Sequence, residues 1–264
     1  MDRILLAAAA FCFLASFAST LYAFGARLRL PTRFNFVMVS AGFLFQTAFL
    51  WRRGGAVGRC PITNLFEVLV FLSWATVLLY LLVGPAYRLS LMGAFTSPLA
   101  FLLQGIAQGV VGDPGAVRAG TVNPWTELHA ALSIVAYGAF ALAAVAGTMY
   151  LVQQYQLKTR NLSTFFFELP PIRDLGLANH RLMTAGLVLL TAGLGAGLFA
   201  GHLPGALKLA TACAVWALYA ALLAGRRLFH LGAGRVAACS VAAFVLSLAA
   251  LCGITLLSRT SLPG

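Results

Sequence analysis

Charge is what this sequence has least of. Charged residues make up 9% of its 264 positions, and only six are acidic. A soluble domain carries about a quarter charged residues, so the composition excludes a sizeable soluble domain. With 61% hydrophobic residues and a mean hydropathy of +0.92, the chain reads as an integral membrane protein. Membrane lipid is its expected environment. The net charge of +12 does not point to nucleic acid, because the basic residues sit mostly in short loops, as orientation-setting residues do.

Cysteine pairs are also missing. Five cysteines occur without a C-x-x-C, which removes both a thioredoxin-like site and covalent c-type haem attachment. Cys12, Cys213, Cys239 and Cys252 lie in apolar runs, where cysteine behaves as a small hydrophobe. Only Cys60 lies in a loop. No Ser–His–Asp or Cys–His grouping, phosphate loop or carboxylate pair stands out. Catalysis is therefore the less expected reading. Residues 1–24 open with Asp2 and Arg3 before an apolar run. The run is longer than a signal h-region and lacks a small-residue cleavage site, so it reads as a first transmembrane helix.

Long apolar runs are what the chain has in their place. They cover 3–24, 34–51, 63–83, 89–107, 127–152, 182–200, 206–224 and 236–257, and about 20 such residues cross a bilayer. The expected fold is all-α, a polytopic bundle of about eight spans forming one integral membrane domain over 1–264. The fourth run is the weakest, with Ser90, Thr96, Ser97 and Pro98 inside it, and reads as re-entrant or broken. Frequent Gly and Ala suit close helix packing. Eleven of the 18 basic residues fall on one set of loops, which the positive-inside rule assigns to the cytoplasm. Both termini then face outward. The longest inner loop, 153–181, carries Phe165–Phe167, which suits an interfacial segment.

Only four histidines occur. His129 opens the fifth run and His202 follows the sixth, so both fall at helix ends on the expected outer side. Such a pair reads either as two interfacial histidines or as bis-imidazole ligation of a haem iron. Ser133, Tyr137 and Phe140 follow His129 at helical spacing, and Glu127 is a candidate partner for its second ring nitrogen. Trp125 and Trp216 read as belt aromatics or as packing for a porphyrin face. Lys208 reads as a snorkelling cation or a propionate partner. His180 and His230 lie among arginines on the inner side, where they suit anionic headgroups. Asn64 and Glu67 begin the third run, with Thr63 as an expected cap. Glu67 lies about a turn into the apolar span, so it reads either as a helix-dipole partner or as a site residue, since such groups are rare there.

Four segments together resemble the cytochrome c assembly family of membrane proteins, in its CcsA/HemX-like branch. They are CPITNLFEVLVFLSW at 60–74, ELHAALSIVAYGAFALAAVAGTMYL at 127–151, LPPIRDLGLANHRLMTAGLVLLTAGLGAG at 169–197, and the stretch 216–253 with its Trp216-Ala217-Leu218-Tyr219 and Gly232-Ala233-Gly234-Arg235. The region of resemblance runs over 60–257. It implies a bacterial cytoplasmic-membrane protein that handles haem near the outer face, either in cytochrome c maturation or as an accessory of haem biosynthesis. His129 matches the family's first outer histidine, and His202 takes the place of the second. The implied cofactor is non-covalent haem b, held by His129 and His202 with Trp125, Tyr137, Trp216, Asn64 and Glu67 around it. Expected partners are other cytochrome c maturation proteins or a haem-biosynthesis enzyme. One departure stands out. The tryptophan-rich W-G-x-x-W-x-W-D-like segment of the full synthetases is missing between the fifth and eighth runs, which favours a HemX-like accessory over a synthetase. Two other readings remain open. One is a permease using Gln46, Glu67 and Gln104 as a polar track, and the other is a ligand-free regulator of a haem-biosynthesis enzyme.

Overall fold

The structure is a computed structural model that describes residues 2–26, 28, 31–86, 92–111, 123–160, 169–200 and 206–260. Among these residues every regular element is helical. The helices are α1 (Asp2–Gly25), α2 (Thr32–Val57), α3 (Leu65–Ala86), α4 (Met92–Ile106) with a π-helical turn at Ala107–Val111, α5 (Pro124–Thr159), α6 (Ile172–Phe199), α7 (Ala206–Leu228) and α8 (Ala233–Thr260). The multi-pass all-α expectation holds.

Seven helices are long and apolar enough to cross a membrane. The exception is α4, whose 15 residues span about 22 Å against a hydrocarbon core of about 30 Å. The π turn carries its helical path on to Val111. Pro98 lies inside α4 and has no N–H for the carbonyl one turn back. The Ser97 hydroxyl donates to that Ala94 carbonyl at 3.4 Å instead. The weakness of this run in the sequence thus corresponds to a short helix with an internally repaired break.

Helix ends follow local chemistry. Pro124 opens α5, and the Asn123 side chain caps it by accepting from the Trp125 N–H, as Pro and Asn favour. Gly58 closes α2 with φ 69°, and its N–H donates to the Gly54 carbonyl at 2.8 Å. Only glycine enters that left-handed conformation without strain. Two boundaries differ from expectation. α6 begins at Ile172, ten residues before the apolar run, and α5 continues to Thr159. The expected inner loop 153–181 is therefore largely helix, with Pro171 at the head of α6 and Asp174 in its first turn. Apolarity marks only the membrane-depth middle of a helix. Proline and an early carboxylate extend it into the interface. Phe165–Phe167 lie outside the described residues.

The helix ends alternate. The Gln104 side chain donates to the Leu6 carbonyl, joining the end of α4 to the start of α1. Arg53 near the end of α2 meets Glu67 at the start of α3. Asn123 before α5 donates to Ala200 after α6 at 3.1 Å. The starts of α5 and α7 and the end of α8 share a cavity. All eight helices therefore bring one end to the His129 end of the bundle, α1 its start and α8 its end.

Two cores fill the bundle. One, around Phe49, Leu69, Leu72 and Leu103, joins α1–α4. The other, around Phe140, Met183, Tyr219 and Phe244, surrounds α5. The Phe140 and Tyr219 rings stack in parallel at 3.6 Å. α5 is the pillar between the two cores, and its 36 residues reach about 54 Å, beyond the membrane thickness.

Candidate functional site

His129 sits in the second turn of α5, half-buried against α6. Its Nδ1 lies 2.7 Å from the Gly193 carbonyl oxygen. A carbonyl only accepts, so Nδ1 carries the proton and donates, and Nε2 is left as the acceptor nitrogen. This is the arrangement that orients a metal-binding imidazole, with the second nitrogen held by a backbone oxygen. The expected partner Glu127 has a different place. It lines a separate cavity with Arg59, Cys60, Thr63 and Thr126, because two residues along a helix turn a side chain about 200° away.

The His129 cavity holds about 270 Å³, near the lower end of ligand pockets. Its polar lining is His129, Ser133, Tyr137, Lys208 and Thr211, and its walls are Leu190, Leu194, Val215, Leu251 and Ile254. His129, Ser133 and Tyr137 thus share a face, as the helical spacing predicts. Phe140, next on that face, is fully buried in the stack with Tyr219. Ser133 Oγ is buried without a hydrogen-bond partner. A mostly apolar cavity with one imidazole acceptor, one unsatisfied hydroxyl and one lysine suits a largely apolar ligand carrying an anionic group.

The remaining sequence candidates are elsewhere. Trp125 is exposed and packs on Phe199 at 5.2 Å. Trp216 donates from its indole nitrogen to Thr191 Oγ1 at 2.9 Å, while its neighbour Val215 lines the cavity. Trp51 is 83% exposed, as a belt residue would be. His202 lies outside the described residues, two positions beyond Ala200 and six before Lys208.

Asn64 and Glu67 form a site of their own. Asn64, not Thr63, caps α3: its side-chain oxygen accepts the Glu67 N–H at 2.9 Å. Glu67 is fully buried, and its two oxygens are both taken. Arg53 Nε donates to Oε1 at 2.7 Å, and the Thr63 N–H and hydroxyl donate to Oε2 at 2.8 and 2.7 Å. The cap therefore closes on itself, as a capping box does. Cys60 lies nearby. Burial pushes its thiol up from the ordinary range, and the Glu127 and Glu67 carboxylates add to the effect.

Gln46 and Gln104, read from sequence as track residues, bind each other instead. Gln46 Nε2 donates to Gln104 Oε1 and to Ser73 Oγ, both at 2.9 Å. These groups tie α2, α3 and α4 together. At the far end of the bundle His180 lies close to Arg226 and Arg227. Among the described residues no group of three or more His, Cys, Asp or Glu side chains gathers for a metal ion.

Sequence reasoning missed the glycines of α6. A side-chain carbon on Gly197 would stand 2.9 Å from His129 Nδ1, and one on Gly193 would stand 2.9 Å from Ser133 Oγ. One on Gly186 would stand 2.5 Å from the Phe140 ring. Their spacing of seven and four residues puts them on one helix face, and that was the available signal.

Comparison with known proteins bears on the same region. The family described as Cytochrome C assembly protein matches residues 62–262. Protein HemX of Brevibacillus brevis is 27% identical over 176 residues, which is 66% of this chain and 65% of that protein. Protein HemX of Bacillus subtilis (strain 168) is 25% identical over 157 residues, 59% of this chain and 57% of that protein. Cytochrome c biogenesis protein CcsA of Prochlorococcus marinus (strain NATL1A) is 26% identical over 189 residues, 61% of this chain and 60% of that protein. Each match spans less than two thirds of the relative's length.

Proposed function

The chain belongs to the cytochrome c assembly protein family, and from that premise we propose that it is a haem-handling membrane protein of cytochrome c maturation, or a HemX-like accessory to it. The cavity beside His129 takes non-covalent haem b. The observation that carries this reading is His129 itself, with Nδ1 committed to the Gly193 carbonyl and Nε2 left over in a mostly apolar cavity.

Haem supplies an iron that accepts imidazole nitrogen, a flat apolar ring and two propionates. The residues present fit each part. His129 Nε2 ligates the iron. Leu190, Leu194, Val215, Leu251 and Ile254 wall the ring from water. Lys208, at the same cavity, pairs with a propionate. Ser133 Oγ gains there the partner it lacks in the protein. His202 is the second iron ligand, tied by sequence to Ala200, whose carbonyl Asn123 holds six residues from His129. Trp125 and Trp216 flank this region without lining the cavity.

In this reading the His129 end of the bundle and both termini face outward, which the basic-residue bias supports, and the family resemblance supports the cytoplasmic membrane of a bacterium. Ligation of haem to an apocytochrome is left to partner proteins of the maturation system, because the tryptophan-rich segment is missing.

The test is an absorption titration of detergent-purified protein with haem. A saturable Soret band is expected, lost in His129→Ala and weakened in His202→Ala. An unchanged band in both variants would sink the proposal.

A further inference from the structure

The glycines of α6 do more than let two helices approach. The three His129 atoms nearest a side-chain carbon on Gly197 are Nδ1, Cε1 and Cγ, at 2.9, 3.3 and 3.4 Å. The Nδ1 edge of the ring is therefore pressed against α6, and the Nε2 edge is turned away from it. Four residues earlier on the same face, the Gly193 carbonyl accepts the Nδ1 proton at 2.7 Å. Gly193 also leaves room for Ser133, whose Oγ would otherwise meet a side-chain carbon at 2.9 Å. Gly195 differs: a side-chain carbon there meets nothing within 4 Å.

We infer that Gly193 and Gly197 are positioning residues, forming a notch that holds His129 in its Nδ1–H tautomer with Nε2 directed to the cavity. A methyl on Gly193 meets Ser133, and one on Gly197 pushes the ring itself outward. The backbone oxygen that fixes the proton then loses its donor. The inference rests on the haem reading only for its consequence at iron. The tautomer itself belongs to the protein alone.

Two measurements test it. The first uses full-length protein with 15N-labelled histidine in lipid nanodiscs, with His129 assigned by its loss in His129→Gln. Nδ1 is expected as the protonated nitrogen with slowed exchange. A protonated Nε2 in the neutral ring overturns the inference, whether or not haem ever binds. The second compares Gly197→Ala with Gly195→Ala, the same change two residues apart on one helix. Gly195→Ala is expected to keep the wild-type affinity and midpoint potential of bound haem. Gly197→Ala is expected to weaken haem by tenfold or more and to shift the potential, while the band itself survives. Equal behaviour of the two variants overturns the positioning role. Loss of haem binding in neither these variants nor His129→Ala instead removes the haem reading and leaves the nitrogen assignment standing. Should Gly197→Ala fail to fold, the nitrogen measurement on the native chain still decides the inference.

Discussion

Two polar sites lie at the same end of this bundle, and they are built oppositely. Around Glu67 every acceptor is used: Arg53 takes one oxygen and Thr63 the other, and Asn64 caps the N–H. Around His129 one nitrogen is committed and the rest is left over: Nε2 has no carbonyl to meet, and Ser133 Oγ is buried without a partner. Each read from the sequence either as a local structural residue or as a site residue. The difference teaches that an ionisable group in a membrane span signals a ligand only when its bonding capacity is unspent. Glu67 holds α3 to α2. Among the described residues, His129 has only Nδ1 committed.

The largest test of that contrast is Glu67→Ala. It removes the buried carboxylate that Arg53 Nε and Thr63 meet, and opens the cap. Losing one member of a buried pair costs about 3–5 kcal/mol, so thermal unfolding in detergent should shift strongly downward. Haem bound per folded molecule should stay as in the native chain. A variant that unfolds normally but loses haem would erase the distinction between the two sites.

Gly186→Ala comes next. The added carbon meets Phe140 at 2.5 Å and the Ala136 carbonyl at 3.2 Å, and the ring is pinned by its stack on Tyr219. Overpacking of this kind costs about 1–3 kcal/mol, measurable in the same unfolding experiment. Full native stability would mean that the α5–α6 crossing is looser than the geometry says, and the support beneath the cavity with it.

His129→Ala should be the mirror of Glu67→Ala, with a stability change of only about 1 kcal/mol for one hydrogen bond and loss of the haem band. A stability loss as large as that of Glu67→Ala would make His129 a structural residue like its neighbour.

The smallest effect is at Cys60, beside the Glu67 cap. Its raised pKa favours the thiol over the thiolate, and only the thiolate reacts. Maleimide labelling at pH 8 should therefore be slower than for an unhindered cysteine, and its rise with pH should come later. Glu127→Gln removes one of the charges responsible and should speed labelling at a given pH. Labelling indifferent to that substitution would show that burial alone sets the thiol.

Much of the fold was legible before any coordinates. Each of the eight apolar runs contains a helix, and the weak fourth run became the short α4 with Pro98 at its break. The shared face of His129, Ser133 and Tyr137 followed from helical spacing. The partner of His129 did not. Glu127 was the nearest carboxylate in sequence, whereas the acceptor is a glycine carbonyl 64 residues away. A backbone oxygen has no sequence signature. Thr63 was the expected cap, and Asn64 takes the role: either side chain can reach an N–H, and only the path of the chain into α3 chooses.

Hydropathy by itself determined that this chain lives in a membrane as a multi-pass helical bundle, because apolar length against bilayer thickness is a local property of each run. Spacing along α5 determined which side chains share a face. The tertiary structure alone decided which polar groups are spent and which are not. That depends on what neighbouring helices bring to within hydrogen-bond distance: Arg53 to Glu67, Gly193 to Nδ1 and, among the described residues, nothing to Ser133 Oγ. Bonding capacity is settled between helices, and a single helix's sequence carries no record of it.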